Sequence, residues 1–227
     1  MRFITGSMAV AFALAGCGST GTTNTGADAG AAADVVTVTD VVTTPTDAGA
    51  APTDAGGMTM ATYPAGPYGA RIGALFEPFG LTACNRQGDE ANWRFDQPDF
   101  FSSNVTVVTV SAGWCVPCQM EARQIEAEIV RRYEGMGVRI VMVLVQDANY
   151  RAITPTFCNT WVNRYSLTMP VLMDPTNVMG IYYPRGAFPA NIVIDRRGRI
   201  RAQEYGSETG LSRIRGHIDD VLANPNG

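Results

Sequence analysis

The chain has 227 residues and a formal net charge of −4, and 46% of its residues are hydrophobic, so it is long and apolar enough to build a core of its own. It contains no run of basic residues, which argues against nucleic-acid binding because phosphates are neutralised by clustered Lys or Arg. His217 is the single histidine, which excludes a metal site built from several histidines and any Ser-His catalytic pair that does not use His217.

The first seventeen residues have the pattern of an export signal. Met1 and Arg2 precede a mostly apolar run over residues 3–15, which is shorter than the roughly 20 residues of a membrane-spanning helix and is typical of a secretory signal. The run ends in small residues followed by Cys17, and this ending resembles a bacterial lipoprotein signal. The resemblance implies that residues 1–16 are a signal peptide that is removed and that Cys17 is lipidated.

Such a chain would be anchored in the bacterial cell envelope, with its domain facing the periplasm or the exterior. Gly18, which follows the cysteine, favours the outer over the inner membrane by resemblance to known sorting signals. An ordinary signal peptide in which Cys17 is incidental is the alternative. Either way the compartment lies outside the cytoplasm, where disulfides form and persist.

Residues 18–62 consist mainly of Gly, Ala, Thr and Asp and contain no aromatic side chain. Such a segment cannot bury enough apolar surface to offset the entropy lost on ordering it. We therefore predict a disordered tether over residues 17–62, beginning at the lipidated cysteine. A globular domain is predicted over residues 63–227, where aromatic residues and runs typical of strands and helices begin.

Within this domain the sequence alternates between two kinds of pattern. Continuously apolar or β-branched runs predict strands over residues 72–82, 92–95, 105–110, 138–145, 190–194 and 199–205. Amphipathic spacing and capping residues predict helices over residues 115–133, 154–165, 174–183 and 209–223. This order implies an α/β fold with a central mixed sheet and helices on both of its faces.

The motif Trp114-Cys115-Val116-Pro117-Cys118 lies between a buried strand and a helix. Unpaired N–H groups and the dipole at the start of the helix favour the thiolate form of Cys115. Pro117 fits the first helical turn, where its missing N–H costs nothing. We predict that Cys115 is an exposed nucleophile that forms a mixed disulfide with a substrate, and that Cys118 is the buried thiol that resolves it.

A bare C-x-x-C pair is also compatible with two other roles. One is half of a zinc site that Cys84 and Cys158 would complete, and the other is a purely structural disulfide. Zinc ribbons usually carry two such pairs on loops, and this chain has one pair, placed between a strand and a helix.

The stretch around the motif resembles the active-site stretch of the thioredoxin superfamily, and most closely the membrane-anchored branch represented by TlpA and ResA. Glu121 completes a C-x-x-C-x-x-E pattern, and residues 167–175, 188–195 and 198–200 resemble further segments of that branch. The resemblance implies a thioredoxin-like fold with an N-terminal strand extension and an inserted helix. It also implies thiol–disulfide oxidoreductase activity without a cofactor or a metal.

The resemblance assigns a docking role to Pro189, which would be a cis-proline that faces the two sulfurs and holds an extended substrate strand beside Cys115. Trp114 and Phe188 would be further substrate-binding residues, although Phe188 is bulkier than the residue usual at its position. A trans proline at the start of a strand is the alternative for Pro189.

The resemblance further implies that Glu121 assists proton transfer to and from Cys118. The alternative is a solvated helix carboxylate within an acidic stretch that includes Glu126 and Glu128. Thr109 stands where thioredoxin has a buried Asp, so we expect no buried proton acceptor on that strand.

Two cysteines, Cys84 and Cys158, remain once Cys17 is lipidated and the C-x-x-C pair has closed. A second disulfide and two separate buried thiols are both open at this point.

The predicted function is an exported, membrane-anchored thiol–disulfide oxidoreductase that acts as a reductase. Its partners would be proteins that carry thiols or disulfides and an upstream redox donor. The Val-Pro pair between the cysteines does not fix the redox potential, so an oxidase remains an alternative. A peroxidase is disfavoured by Ala112, where peroxidases of the redoxin type have Thr. A copper-binding assembly factor is disfavoured by the cysteine spacing, and a non-catalytic surface module is the third alternative.

Overall fold

The structure, a computed structural model, describes residues 62–97, 103–206 and 210–225. All of them belong to one unit of the chain, Asp54–Gly227. The predicted signal peptide, Cys17 and residues 17–61 of the predicted tether lie outside the described residues. Within the described part of the chain, no helix is long and apolar enough to span a bilayer.

A seven-stranded sheet lies at the centre of the fold. Its strands are β1 (Gly80–Ala83), β2 (Asn92–Arg94), β3 (Val105–Ser111), β4 (Val138–Leu144), β5 (Val171–Met173), β6 (Ala190–Asp195) and β7 (Ile200–Tyr205). Their order across the sheet is β2-β1-β5-β4-β3-β6-β7. β3, β4 and β5 are parallel neighbours, whereas β1, β2, β6 and β7 join through antiparallel pairs. The predicted mixed sheet is therefore confirmed.

Three α-helices pack on this sheet: α1 (Val116–Ile125), α2 (Pro155–Tyr165) and α3 (Gly210–Ala223). α1 continues into a π-helical turn, Glu126–Val130, and short 3₁₀ turns occupy Gly88–Ala91, Val178–Tyr182 and Pro184–Gly186. α3 packs against α1, β6 and β7, and α2 packs against β5. Every residue of β3 is buried, as expected for a central strand that is covered on both faces.

The strand predicted over residues 72–82 is wrong except at its end, because only Gly80–Ala83 is a strand. Gly73 has a φ of +87°, and Pro78 has no N–H to donate to a ladder. Leu75 instead forms two isolated bridges, to Tyr68 and to Arg199. The short strand β5 was not predicted.

The helix predicted over residues 174–183 is also wrong, since this segment contains a 3₁₀ turn rather than an α-helix. Asn177 has a φ of +62°, a left-handed conformation that a continuous right-handed helix cannot include. The buried Asp174 carboxylate accepts the N–H groups of Val178 and Met179, both at 2.9 Å. Asp174 thereby holds the chain in a tight turn at this point.

Candidate active site

Cys115 and Cys118 form a disulfide at the start of α1, with their Cα atoms 5.2 Å apart. Cys115 is the N-cap of the helix, and its Sγ accepts a hydrogen bond from the Cys118 N–H at 3.1 Å. An N-cap acceptor satisfies an N–H group that has no partner within the helix. When the disulfide is reduced, the same N–H and the helix dipole would stabilise negative charge on Cys115.

The predicted exposure of Cys115 is wrong for the closed disulfide. Cys115 is 3% exposed and Cys118 is fully buried, so Cys115 is the more accessible of the two by a small margin. Both cysteines belong to the hydrophobic core, and the half-buried rings of Trp114 and Phe188 pack against that core. Little of Cys115 is therefore open to solvent in the closed disulfide.

Aromatic side chains form one wall of the site. The Trp114 indole N–H donates to Gln146 Oε1 at 2.9 Å, and its ring stacks on Tyr150 with centroids 4.7 Å apart. Phe188 meets Trp114 edge to face at 5.6 Å and contacts Tyr183 at 4.6 Å. Trp114, Phe188 and Tyr183 line a groove of about 400 Å³.

Sequence reasoning missed Tyr150 and Tyr183 as neighbours of the site. Both are aromatic residues in loops, and Tyr150 has the unusual φ of +63° and is exposed. An aromatic residue in a loop that follows a buried strand is a signal that could have identified Tyr150.

The Phe188–Pro189 peptide bond is cis, as the family resemblance implies. Pro189 lines a small cavity of about 80 Å³ together with Pro117, Glu121 and Leu211. This cavity brings Pro189 and Glu121 to the same side of α1. A larger groove of about 990 Å³ lies near Trp93 and Arg139, and its lining includes none of the predicted site residues.

Glu121 is buried, with 9% of the residue exposed. Its spacing of three residues places it on the same face of α1 as Cys118. Burial raises the pKa of the Glu121 carboxyl, and hydrogen bonds from Thr109 and Asn191 oppose that rise. The alternative of a solvated carboxylate is therefore wrong for this residue.

Two residues that hold Glu121 were missed by the sequence analysis. Thr109 on β3 donates its hydroxyl to Oε1 at 2.6 Å, and Asn191 on β6 donates its amide to Oε2 at 2.9 Å. Thr109 and Asn191 are register partners in the sheet. The strand before the motif thus contributes a hydrogen-bond donor, and the buried carboxylate comes from the helix.

Cys84 and Cys158 form a second disulfide, with a Cα–Cα distance of 6.1 Å and a sequence separation of 74. It joins the end of β1 to α2, and the structure thereby selects the disulfide over two separate thiols. Phe157, next to Cys158 in α2, packs close against Gly113 in the turn before Cys115. α2 therefore reaches from the second disulfide to the turn that leads into the first.

No cluster of three or more metal-ligating side chains occurs among the described residues. All four cysteines of the domain are paired as disulfides, and His217 contacts Glu204 through Nε2 at 2.9 Å.

The sheet order and the position of α1 directly after β3 define a thioredoxin-like fold. A cysteine pair at the start of that helix places the chain among the thiol–disulfide oxidoreductases of this fold. The sequence matches the Redoxin family over residues 80–218, and the chain belongs to that family.

Named relatives agree with this assignment. The chain is 24% identical over 156 residues to thiol-disulfide oxidoreductase ResA from Oceanobacillus iheyensis, an alignment that covers 69% of this chain and 76% of that protein. It is 30% identical over 108 residues to ResA from Bacillus thuringiensis, covering 48% of this chain and 58% of that protein.

A crystal structure of an uncharacterised conserved protein from Geobacillus kaustophilus is similar in fold. Its TM-score is 0.56 at 20% identity, and the match covers 70% of this chain and 86% of that one. The predicted thioredoxin-like fold and the relationship to the TlpA and ResA branch are confirmed.

Proposed function

We propose that this chain is an exported, lipid-anchored thiol–disulfide oxidoreductase that reduces disulfides in protein substrates through Cys115 and Cys118. The observation that carries the proposal is the disulfide at the start of α1, in which Cys115 Sγ already accepts the N–H of Cys118. This arrangement favours a thiolate on Cys115 once the pair is reduced. The family relationship supports the same class of reaction.

The first step is attack of the Cys115 thiolate on one sulfur of a substrate disulfide. The substrate S–S bond breaks, a mixed disulfide forms, and the first substrate sulfur leaves as a thiolate that takes a proton from solvent. In the second step Cys118 gives its proton to Glu121 and attacks Cys115 Sγ. The Cys115–Cys118 bond closes, the second substrate sulfur leaves, and two electrons have passed to the substrate. An upstream dithiol donor then reduces the pair again.

Substrate docking is assigned to the apolar surface around the disulfide. An extended substrate segment would lie along Pro189, and its side chain next to the cysteine would enter the groove of about 400 Å³ beside Trp114 and Phe188. Both rings are held in place by neighbours, so the groove is largely preformed.

We expect Trp114→Ala to raise KM for a protein disulfide about tenfold while kcat changes little, since a buried aromatic anchor contributes more than 1 kcal/mol to binding. Steady-state kinetics with a disulfide-containing protein measure this change. Tyr68→Ala is the matched control, because Tyr68 is an exposed aromatic residue that lines no part of the groove. An unchanged KM in the Trp114 variant would remove this residue from the docking surface.

Anchoring is assigned to lipidation of Cys17, with the outer membrane favoured over the inner one. Metabolic labelling with a fatty acid tests this part of the proposal. The wild-type chain should carry the label and sediment with membranes, whereas Cys17→Ser should lose the label. A wild-type chain without label would exclude the lipid anchor.

Reduction of insulin by the chain from Cys17 onward tests the activity. With a small dithiol as donor, the wild-type protein should accelerate insulin reduction, and Cys115→Ser should return the rate to that of the donor alone. Cys84→Ala with Cys158→Ala should retain the activity, because that pair lies outside the site. A wild-type rate equal to the donor alone would contradict the proposal, and a measured redox potential of the pair decides between reductase and oxidase.

A further inference from the structure

Three elements of the fold converge on one buried carboxylate. Glu121 lies on α1, Thr109 on β3 and Asn191 on β6. Thr109 and Asn191 are each 1% exposed or less, so both donors of hydrogen bonds to Glu121 are shielded from solvent. Each donor binds a different oxygen of the carboxylate, at 2.6 Å and 2.9 Å.

The Asn191 amide is oriented so that its hydrogen-bond donor faces Glu121. Its Nδ2 group donates to Glu121, whereas its Oδ1 atom is buried without a hydrogen-bond partner among the described residues. A buried acceptor without a partner, such as Asn191 Oδ1, is unfavourable. The arrangement nevertheless gives each oxygen of the Glu121 carboxylate a hydrogen-bond donor. Two donors to one carboxylate stabilise its ionised form.

Burial and two neutral hydrogen-bond donors act on this carboxylate. Among the described residues, Glu121 is the one charged residue that lines the small cavity of about 80 Å³, to which α3 contributes the apolar Leu211. On the sheet, Glu204 of β7 is the register partner of Asn191. Glu204 is itself paired with His217 and Arg213. The two neutral donors are therefore the main groups that oppose the effect of burial on Glu121.

We propose that Thr109 and Asn191 are positioning residues for the exchange reaction, because they hold Glu121 as an ionised base that accepts the proton of Cys118. The proposal rests on the proposed function and adds two residues to its second step. Cys118 loses its proton to Glu121, its sulfur forms a bond to Cys115 Sγ, and the bond between Cys115 and the substrate sulfur breaks. The two donors act on the reaction through Glu121, to which they are hydrogen-bonded.

The test follows the two steps separately. The reduced protein is mixed with DTNB, a chromogenic aromatic disulfide, in a stopped-flow instrument between about pH 5 and about pH 9, a range that spans a raised carboxyl pKa and a thiol pKa. The first release of coloured thiolate reports attack by Cys115, and the second reports attack by Cys118 on the mixed disulfide. Cys118→Ser should show the first release alone.

We expect Thr109→Val and Asn191→Leu to move the low-pH limb of the second phase upward by about one pH unit each, since a hydrogen bond to a charged group contributes on that scale. The rate of the first phase should not change. Glu121→Gln should abolish that limb. Thr109→Ser keeps a hydroxyl donor and should restore the wild-type pH profile. That result would show that the shift comes from loss of the donor and not from loss of folding.

Thr106→Val is the matched control, because Thr106 is a buried threonine on the opposite face of the same strand. Its profile should match that of the wild type. If the Thr109 and Asn191 variants also match the wild type, this inference is overturned while the proposed function stands. If the wild-type protein shows no second phase and does not reduce insulin, the proposed function itself fails.

Discussion

The two disulfides of this domain have the same chemistry but lie in different surroundings. Cys115–Cys118 closes a loop with a sequence separation of 3 at the start of a helix, whereas Cys84–Cys158 closes one of 74 between β1 and α2. Cys84 is half-buried, and Cys115 is 3% exposed in the closed form. Exposure alone would therefore assign the chemistry to the wrong pair.

The difference lies in what each sulfur gains when its bond opens. Reduced Cys115 would keep the N–H donor that it has in the disulfide and the helix dipole, and both would stabilise its thiolate. Opening the other pair releases a long loop of the unfolded chain from its constraint, and neither of its cysteines is the N-cap of a helix. We therefore expect reactivity to depend on the stability of the product thiolate, and structural stability to depend on loop length.

Removal of the long-range disulfide tests the structural side of this contrast most directly. Cys84→Ala with Cys158→Ala should lower the free energy of unfolding by about 4 kcal/mol, because the closed loop is long. Cys115→Ala with Cys118→Ala should lower it by about 2 kcal/mol, since the loop is short. Urea denaturation without reductant measures both values, and a larger loss for the short-loop variant would reverse the contrast.

Graded reduction of the folded protein tests the reactive side. We expect Cys115–Cys118 to open at a dithiol concentration about 100-fold below that needed for Cys84–Cys158, which corresponds to a difference in potential of about 60 mV. Alkylation followed by peptide mapping identifies which cysteines have become free at each concentration. Simultaneous opening of the two pairs would show that their surroundings do not distinguish them.

Gly113, in the turn before Cys115, lies against Phe157 of α2, the helix that carries Cys158. A Cβ at this position would lie 2.8 Å from the backbone N of Ala148 and would overlap the ring of Phe157. Gly113→Ala should therefore cost about 2 kcal/mol of stability by overpacking and should slow exchange by displacing the active-site turn.

Gly216→Ala is the control for the glycine substitution, because a Cβ there meets no atom within 4 Å. It lies inside α3 and should stabilise the protein by up to about 1 kcal/mol. Thermal unfolding and insulin reduction measure both effects. An unaffected exchange rate in Gly113→Ala would mean that the turn tolerates displacement and that α2 has no influence on the site.

The smallest expected effect is a pH dependence of the free energy of unfolding that comes from Glu121. Because burial raises the pKa of Glu121 in the folded state, the folded protein binds a proton more tightly than the unfolded chain. Stability should therefore fall as pH rises from about 4.3, the pKa of an unperturbed Glu, through the raised pKa.

Glu121→Gln should remove this component, so that the variant gains stability relative to the wild type as pH increases through that window. Urea denaturation over a series of pH values measures the difference. A constant difference between the two proteins at all pH values would show that Glu121 does not change its protonation on unfolding.

Elements that depend on short-range patterns followed from the sequence. The β-branched run at β3 and the Thr154-Pro155 cap of α2 were recognised within a few residues of their bounds. β5 was missed because three residues carry little pattern, and its strand conformation depends on pairing with β4 and β1. The helix predicted over residues 174–183 was wrong because one left-handed residue interrupts it.

The sequence by itself determined the candidate cysteine pair, since Cys115 and Cys118 and the helix that begins between them are adjacent in the chain. Only the tertiary structure decided that Glu121 is buried and held by Thr109 and Asn191, 12 and 70 residues away, and that Cys84 meets Cys158. The physical reason is range: dipoles, caps and periodicity act within a turn or two. Burial and long-range partners depend on the strand order, which brings distant segments side by side.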